Sequence, residues 1–217
     1  MTGVQTCALP IFVESSIQRS IIATTEQDRK AAEDVLESER KINQLEIQID
    51  DVAVNLLALH QPVAADLRFI VSAVKINSDL ERMGDLAVNI AQQALTLMEQ
   101  PRVRPVIDVP YIASVVQSMV RNALDAFVAR DTQLARGVLA SDDTVDNLRT
   151  ECFRELTRLM EQDPRNIAQA LALRSVARNL ERIADHATNV AEDVIFAVQG
   201  IDVRHHAEAA TRTEPPK

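Results

Sequence analysis

The 217-residue chain carries 23 Lys and Arg against 32 Asp and Glu, a formal net charge of −9. That balance excludes a protein whose affinity rests on phosphate-backbone contacts, which need basic surface, and suits a cation or a basic partner. Aromatic residues are 3% and Trp is absent, while helix formers (Ala, Leu, Glu, Arg, Gln) dominate, which excludes a β-rich fold and points to an all-α chain.

Met1 to Ile11 lacks the helical texture of the residues after it, and it lacks the basic and apolar regions of a signal peptide. Back-translated from a GTG start, it resembles a short-read sequencing adaptor. Residues 1–11 are therefore expected to be non-native, and Cys7 carries no argument. Phe12 to Thr25 reads as the remnant of a truncated first helix. Thr25 to Asp28 offers capping chemistry for a second helix, whose seam Ile42, Leu45, Ile49, Val52, Leu56 and Leu59 has the three-and-four spacing of a bundle. Gln61-Pro62 is expected to end that helix and open the next, because proline is tolerated only in a first turn. The third helix runs to about Glu99 along Ala73, Ile76, Leu80, Met83, Ala87 and Ile90. Three prolines between Pro101 and Pro110 mark a linker.

The plan then repeats. One helix is expected from Tyr111 to Arg130 and a single long one from Thr132 to Glu161. A break at Asp163-Pro164 leads into a last helix that Gly200 stops after Gln199. The polar tail ends in Pro-Pro and is expected to be disordered. The expected domains are a non-native segment 1–11, a first three-helix bundle 12–100 with an incomplete first helix, a linker 101–110, a second three-helix bundle 111–200 and a tail 201–217. No apolar run is long enough to span a bilayer: the longest, Val52 to Leu67, is interrupted by Asn55, His60, Pro62 and Asp66.

The strongest motif is a duplication. Asn77 to Ile90 reads NSDLERMGDLAVNI and Ala177 to Val190 reads ARNLERIADHATNV, a separation of 100 residues. Each copy places Glu and Asp four residues apart on a helix, Glu81/Asp85 and Glu181/Asp185. Counting equal distances either side of the hairpin turns puts Glu39, Asn43 and Glu46 near the level of Glu81, and Asp142, Asp143 and Asp146 near that of Glu181. Converging carboxylates repel unless neutralised, and hard cations accept clusters of carboxylate oxygens. Neutralisation by Lys41, Arg82, Arg149 and Arg182 is the competing explanation. No Glu-x-x-His occurs, so a ferritin-like di-iron centre is unsupported, and His186 is matched by Leu86 in the first copy. Cys152 sits on an apolar seam and reads as a buried thiol. No Gly-rich phosphate cradle and no nucleophile–base arrangement can be argued, so the chain reads as a non-enzyme.

The two stripes, together with the phrases LLALHQPVAADLR and LERIADHATNVAEDVIFAVQG, resemble the PhoU family of phosphate-signalling regulators from about Val13 to Gly200. The resemblance implies a cytoplasmic all-α protein of two tandem three-helix bundles, acting as a homodimer. It also implies multinuclear metal clusters, iron foremost and other divalent metals as alternatives. By position these would use Glu81, Asp85, Glu181 and Asp185, faced by Asp142, Asp146 and Glu39, while Asn43 stands where the family has an acid. The implied role is negative regulation of phosphate uptake and of two-component phosphate-starvation signalling. In it the protein links the ATPase subunit of a high-affinity phosphate ABC transporter to a sensor histidine kinase, with no nucleic acid and no membrane contact except through those partners. Two other readings are open: an accessory protein of a low-affinity phosphate permease, and a metal-dependent phosphohydrolase or metal-storage bundle, the hydrolase needing an open coordination position.

Overall fold

A computed structural model describes residues 8–100 and 107–204. Among these residues there is no strand. The elements in chain order are α1 (Ala8–Glu26), α2 (Arg29–His60), α3 (Ala64–Met98), α4 (Val109–Ala129), α5 (Thr132–Leu139), α6 (Asp142–Gln162), a 3₁₀ turn (Pro164–Asn166) and α7 (Ile167–Gln199). α1, α2 and α3 form the first three-helix unit, and α4, α5–α6 and α7 form the second.

The sequence sets most of the boundaries through caps. The Asp28 carboxylate accepts a hydrogen bond from the Ala31 N–H and opens α2. Asp108 does the same for α4 through Tyr111, and Asp131 for α5 through Gln133 and Leu134. Gly200, at φ 69°, closes α7 by donating its N–H to the Phe196 carbonyl at 2.8 Å. α4 begins at Val109, so Pro110 lies in its first turn rather than in the linker.

Further expectations need correction. α2 ends at His60 with Gln61 in the left-handed region, and Pro62 and Val63 form a loop before α3, so Pro62 precedes the next helix instead of opening it. The helix expected from Thr132 to Glu161 is two, broken at Ala140 and Ser141. Both residues keep right-handed dihedrals, but Ser141 donates to Val138 three residues back and its hydroxyl bonds the Gly137 carbonyl. The break places Asp142 and Asp143 in the first turn of α6, where free N–H groups and the helix dipole favour acids. The start of the tail is ordered: Val203 is buried in the core and Arg204 pairs with Asp202. Residues 205–217, Cys7 and residues 101–106 of the linker lie outside the described residues. α1 runs through the expected boundary at residue 11, with Leu9 fully buried.

The core is continuous through both units, and α3 and α7 are its central pair. They lie antiparallel. Asp79 meets His186 and Asn189, Lys75 meets Asp193, and Arg68 lies against Gly200. Within the first unit α2 and α3 pack closely at Gly84, where a Cβ would stand 3.1 Å from Ile42 Cδ1. Ile42 is itself buried. The equivalent positions of the second unit hold Ala184 and Val145, a larger residue on one helix offset by a smaller one on the other.

Candidate metal centres and the seam between the halves

The Ile42–Gly84 approach fixes the register of the first hairpin. It sets residue 45 opposite Glu81 and residue 41 opposite Asp85. Glu46 is thus the α2 acid that reaches the stripe. Burial, followed by Asp50 and Asp85, raises its pKa. Glu81 is raised by burial first, then by Asp85 and Glu46, with Arg82 opposing. Glu39 is two residues past the level of Asp85, and no hydrogen bond or ion pair joins it to that residue or to Glu81 among the described residues. Asn43 lies on the same α2 face as Glu46, and its side-chain oxygen is buried with no hydrogen-bond partner. One turn further on, Asp50 accepts a hydrogen bond at 2.8 Å from Asn77, which also bonds the Glu46 carbonyl.

In the second hairpin, Asp142 and Asp146 from α6 meet Glu181 and Asp185 from α7. The Asp185 carboxyl is pushed up to about 6, by burial first and then by Glu181, Asp142 and Asp146, against His186. Asp142 is raised by burial, Asp146 and Asp143. A cation is built into this group. Arg149 Nε lies 3.3 Å from Glu181 without hydrogen-bond alignment, and another guanidinium nitrogen lies 3.8 Å from Asp146. The guanidinium also stands 5.5 Å from the Phe153 ring centroid, within cation–π reach. Arg149 therefore does part of what the ion-pair explanation of the stripe requires. Among the described residues no three His, Cys, Asp or Glu side chains stand close enough together to hold a metal ion.

Sequence reasoning missed the seam between the halves. His186 Nδ1 hydrogen-bonds Asp79 Oδ1 at 2.8 Å, and Asn189 donates to the same oxygen at 3.3 Å. Lys75 donates to Asp193 at 3.0 Å. Asp79 and Asp193 are both buried at 7% exposure, so their partners offset desolvation that would otherwise be costly. Burial nonetheless holds Asp193 above the ordinary carboxylate range. The available signal was an acid, Asp79, set among the apolar seam residues Ile76, Leu80 and Met83 of α3. Cys152 is buried and its thiol is pushed up to about 11, the state of an inert core cysteine. No described helix is long and apolar enough to cross a membrane.

Comparison with known proteins gives a consistent picture. The model of the PhoU domain matches residues 12–94 and again 110–194, one match for each half. A phosphate-specific transport system accessory protein PhoU homolog of Pseudomonas putida is 43% identical over 195 residues, 89% of this chain and 76% of that protein. The homolog from Aquifex aeolicus is 41% identical over 204 residues, 94% of this chain and 92% of that protein. Among solved structures, PhoU from Pseudomonas aeruginosa superposes with a TM-score of 0.87 at 41% identity, covering 91% of this chain and 95% of that one. The phosphate transport system regulatory protein PhoU from Streptococcus pneumoniae gives 0.83 at 27% identity, covering 92% and 94%.

Proposed function

The chain belongs to the PhoU family, and from that premise we propose that it is an accessory protein of phosphate transport that negatively regulates phosphate uptake and phosphate-starvation signalling. It would act in the cytoplasm as a homodimeric adaptor between the ATPase subunit of a phosphate ABC transporter and a sensor histidine kinase. It works by binding rather than by turnover. The observation that carries the reading is that both halves match the PhoU domain, while relatives matched over 76% and 92% of their own length are named as accessory proteins of the phosphate-specific transport system.

We further propose that the acidic hairpins take divalent or trivalent metal, iron foremost. The donor chemistry fits: carboxylate oxygens suit hard cations. Mutual repulsion and burial raise Glu46, Glu81, Asp142 and Asp185, and a bound cation would relieve the repulsion. The buried, unpartnered Asn43 oxygen is a further donor of the right kind. Glu46, Glu81 and Asp85 would hold the ion in the first hairpin, with Glu39 further along the same face, and Asp142, Asp146, Glu181 and Asp185 in the second. When bound, the metal supplies a charge-dense cross-link between paired helices. The protein's own residues set the spacing of those helices through Ile42 and Gly84.

The test of the regulatory role is alkaline phosphatase activity in phosphate-rich medium, in a bacterium lacking its own PhoU and carrying this chain. Repression is expected; derepression, with soluble protein present, would count against the role. Alanine at Glu81, Asp85, Glu181 and Asp185 together is expected to lower the metal that copurifies. Unchanged metal content would remove these residues as ligands.

A further inference from the structure

The longest stretch of the chain without an acid is Pro164 to Leu180, which leads into α7 and holds three arginines. In a chain of net charge −9 that is a local reversal of sign. Arg165 is taken up by Asp163. Arg174 and Arg178 have no ion pair and no hydrogen bond among the described residues. Steps of four, three and four residues put Ile167, Leu171, Arg174 and Arg178 on one face of α7. Each of the four is exposed, Ile167 at 42% and Leu171 at 50%. The stripe is therefore open at every one of its own positions.

Arg174 is also held in place. Its guanidinium lies 4.7 Å from the Phe153 ring centroid, and Phe153 packs on the core. A stacked guanidinium keeps its N–H edges free and loses little freedom on taking a carboxylate. One turn beyond Arg178 comes Glu181, which faces Arg149 at 3.3 Å. The stripe thus ends short of the acids assigned to metal. The first repeat supplies an internal control. Its equivalents, 100 positions earlier, are Leu67, Val71, Val74 and Ser78, with no charge among them. The duplicated hairpin therefore folds without arginine at these positions. An exposed apolar pair continuous with two unpaired guanidinium groups has the composition of an interface, where arginine is enriched.

We propose that this α7 stripe docks an acidic amphipathic helix of a partner protein, its apolar side chains on Ile167 and Leu171 and its carboxylates on Arg174 and Arg178. Charge complementarity selects the occupant: the element that fits must be acidic where the stripe is basic and apolar where it is apolar. From Ile167 to Arg178 the stripe is about 17 Å long, three turns of helix, and helices are read through anchors at such three- and four-residue steps. An anionic membrane is disfavoured, because the net charge of −9 opposes approach to a negative surface. None of the four residues is a proposed metal ligand. A cation on Glu181 and Asp185 would add positive charge beside the stripe and would not compete with the partner. The inference deepens the adaptor reading by stating the chemistry of the partner element, and rests on that reading for the need of a partner at all.

The probe is a fluorescent peptide of about 14 residues with a leucine stripe and glutamate flanks, lactam-bridged because free helices of that length are marginal. It is titrated by anisotropy into the full chain, beside a version with lysine flanks and a scrambled glutamate version. The glutamate helix is expected to bind, more tightly at about 50 mM than at about 300 mM salt, and the other two are expected not to. Arg174→Gln/Arg178→Gln should lower affinity about tenfold, ~1.4 kcal/mol, and flatten the salt dependence. Ile167→Ser/Leu171→Ser should lose a similar factor with the salt dependence kept. Arg29→Gln/Arg40→Gln, which removes the same charge from exposed positions of α2, should bind as the parent does. All three variants should keep the parent's helical circular dichroism and melting temperature, since the altered side chains are already in solvent. Failure of the glutamate helix to bind, equal binding of the scrambled peptide, or indifference to Arg174→Gln/Arg178→Gln would overturn the proposal. So would a dimer in sedimentation that Ile167→Ser/Leu171→Ser dissociates, because the stripe would then belong to a second copy. Cosedimentation with phosphatidylserine vesicles that Arg174→Gln/Arg178→Gln abolishes would overturn it in favour of a membrane. Peptide binding is read on purified protein, so it fails or survives independently of the phosphatase result.

Discussion

In the α2–α3 hairpin the acids gather with Arg82 acting on Glu81 but with no ion pair to Glu46, Glu81 or Asp85 among the described residues. Glu46 stands at the position that α6 gives to Arg149, and Asp50 at the position of Phe153. In the α6–α7 hairpin Arg149 bridges toward Asp146 and Glu181 while resting near the Phe153 ring. The two hairpins carry the same repeat in sequence, on one unbroken helix in the first and on two in the second; the charges laid on them differ. The difference teaches that the duplicated frame is held by apolar packing, at Ile42–Gly84 and its counterpart positions Val145 and Ala184, and that the stripe above it is free to diverge. A partly exposed ion pair contributes only ~0.2–1 kcal/mol, so exchanging Arg149 for an acid leaves the fold intact and changes what the face attracts.

The largest effect should come from disturbing the frame itself. Gly84→Val drives a branched side chain into buried Ile42 and should cost about 2–3 kcal/mol in denaturant unfolding. Ala184→Gly in the second hairpin should cost only about 1 kcal/mol, the helix-propensity difference. Equal losses would mean that the two hairpins do not pack differently at this level. Next in size is a charge exchange. Arg149→Glu should give the second hairpin the character of the first and raise its affinity for a divalent cation by about tenfold, ~1.4 kcal/mol. Glu46→Arg should lower that of the first by a similar factor. Isothermal titration with Mn²⁺ measures both, and no change in either would disconnect Arg149 and Glu46 from cation binding.

The smallest effect is in pH. Asp185 in the folded chain sits near 6, above an unfolded carboxylate. The folded state therefore binds more protons between about pH 4 and 6. The Asp185 contribution is fully present below that window and is lost as pH rises through 6. In chelator, the melting temperature of the parent should fall relative to Asp185→Asn between pH 5 and 7, by no more than about 2 °C for a carboxylate this open to solvent. Cation binding reverses the sign, because protons must leave before the metal enters, so affinity should tighten as pH rises past 6. A parent and variant with parallel profiles would show that Asp185 titrates normally.

The long helices and their order were legible because each has a three-and-four apolar seam and a marked end: Asp28, Asp131 and Gly200 are visible as letters. The break at Ala140–Ser141 was hidden because its residues remain helical in dihedrals and only the hydrogen-bond ladder lapses. Gly137 followed by Ser141-Asp142-Asp143 was the available sign. Meeting of the acids in the second hairpin could be had by counting out from the turn. In the first, the three-residue loop Gln61–Val63 shifts the frame, and Glu46 rather than Glu39 comes level with Glu81. The seam between halves was illegible for a plainer reason. Nothing within one repeat indicates which residue of the other it will meet, and Asp79 and His186 are 107 positions apart.

That antiparallel seam also fixes the geometry of access. The turn of the first hairpin lies beside Gly200 and that of the second beside the far end of α3, so the two turns sit at opposite poles, about 50 Å apart along a 35-residue helix. The poles are rigidly coupled through one continuous core. A ligand at one pole leaves the other sterically open, and two proteins held at both would be kept at a set distance and orientation, each raising the local concentration of the other without touching it.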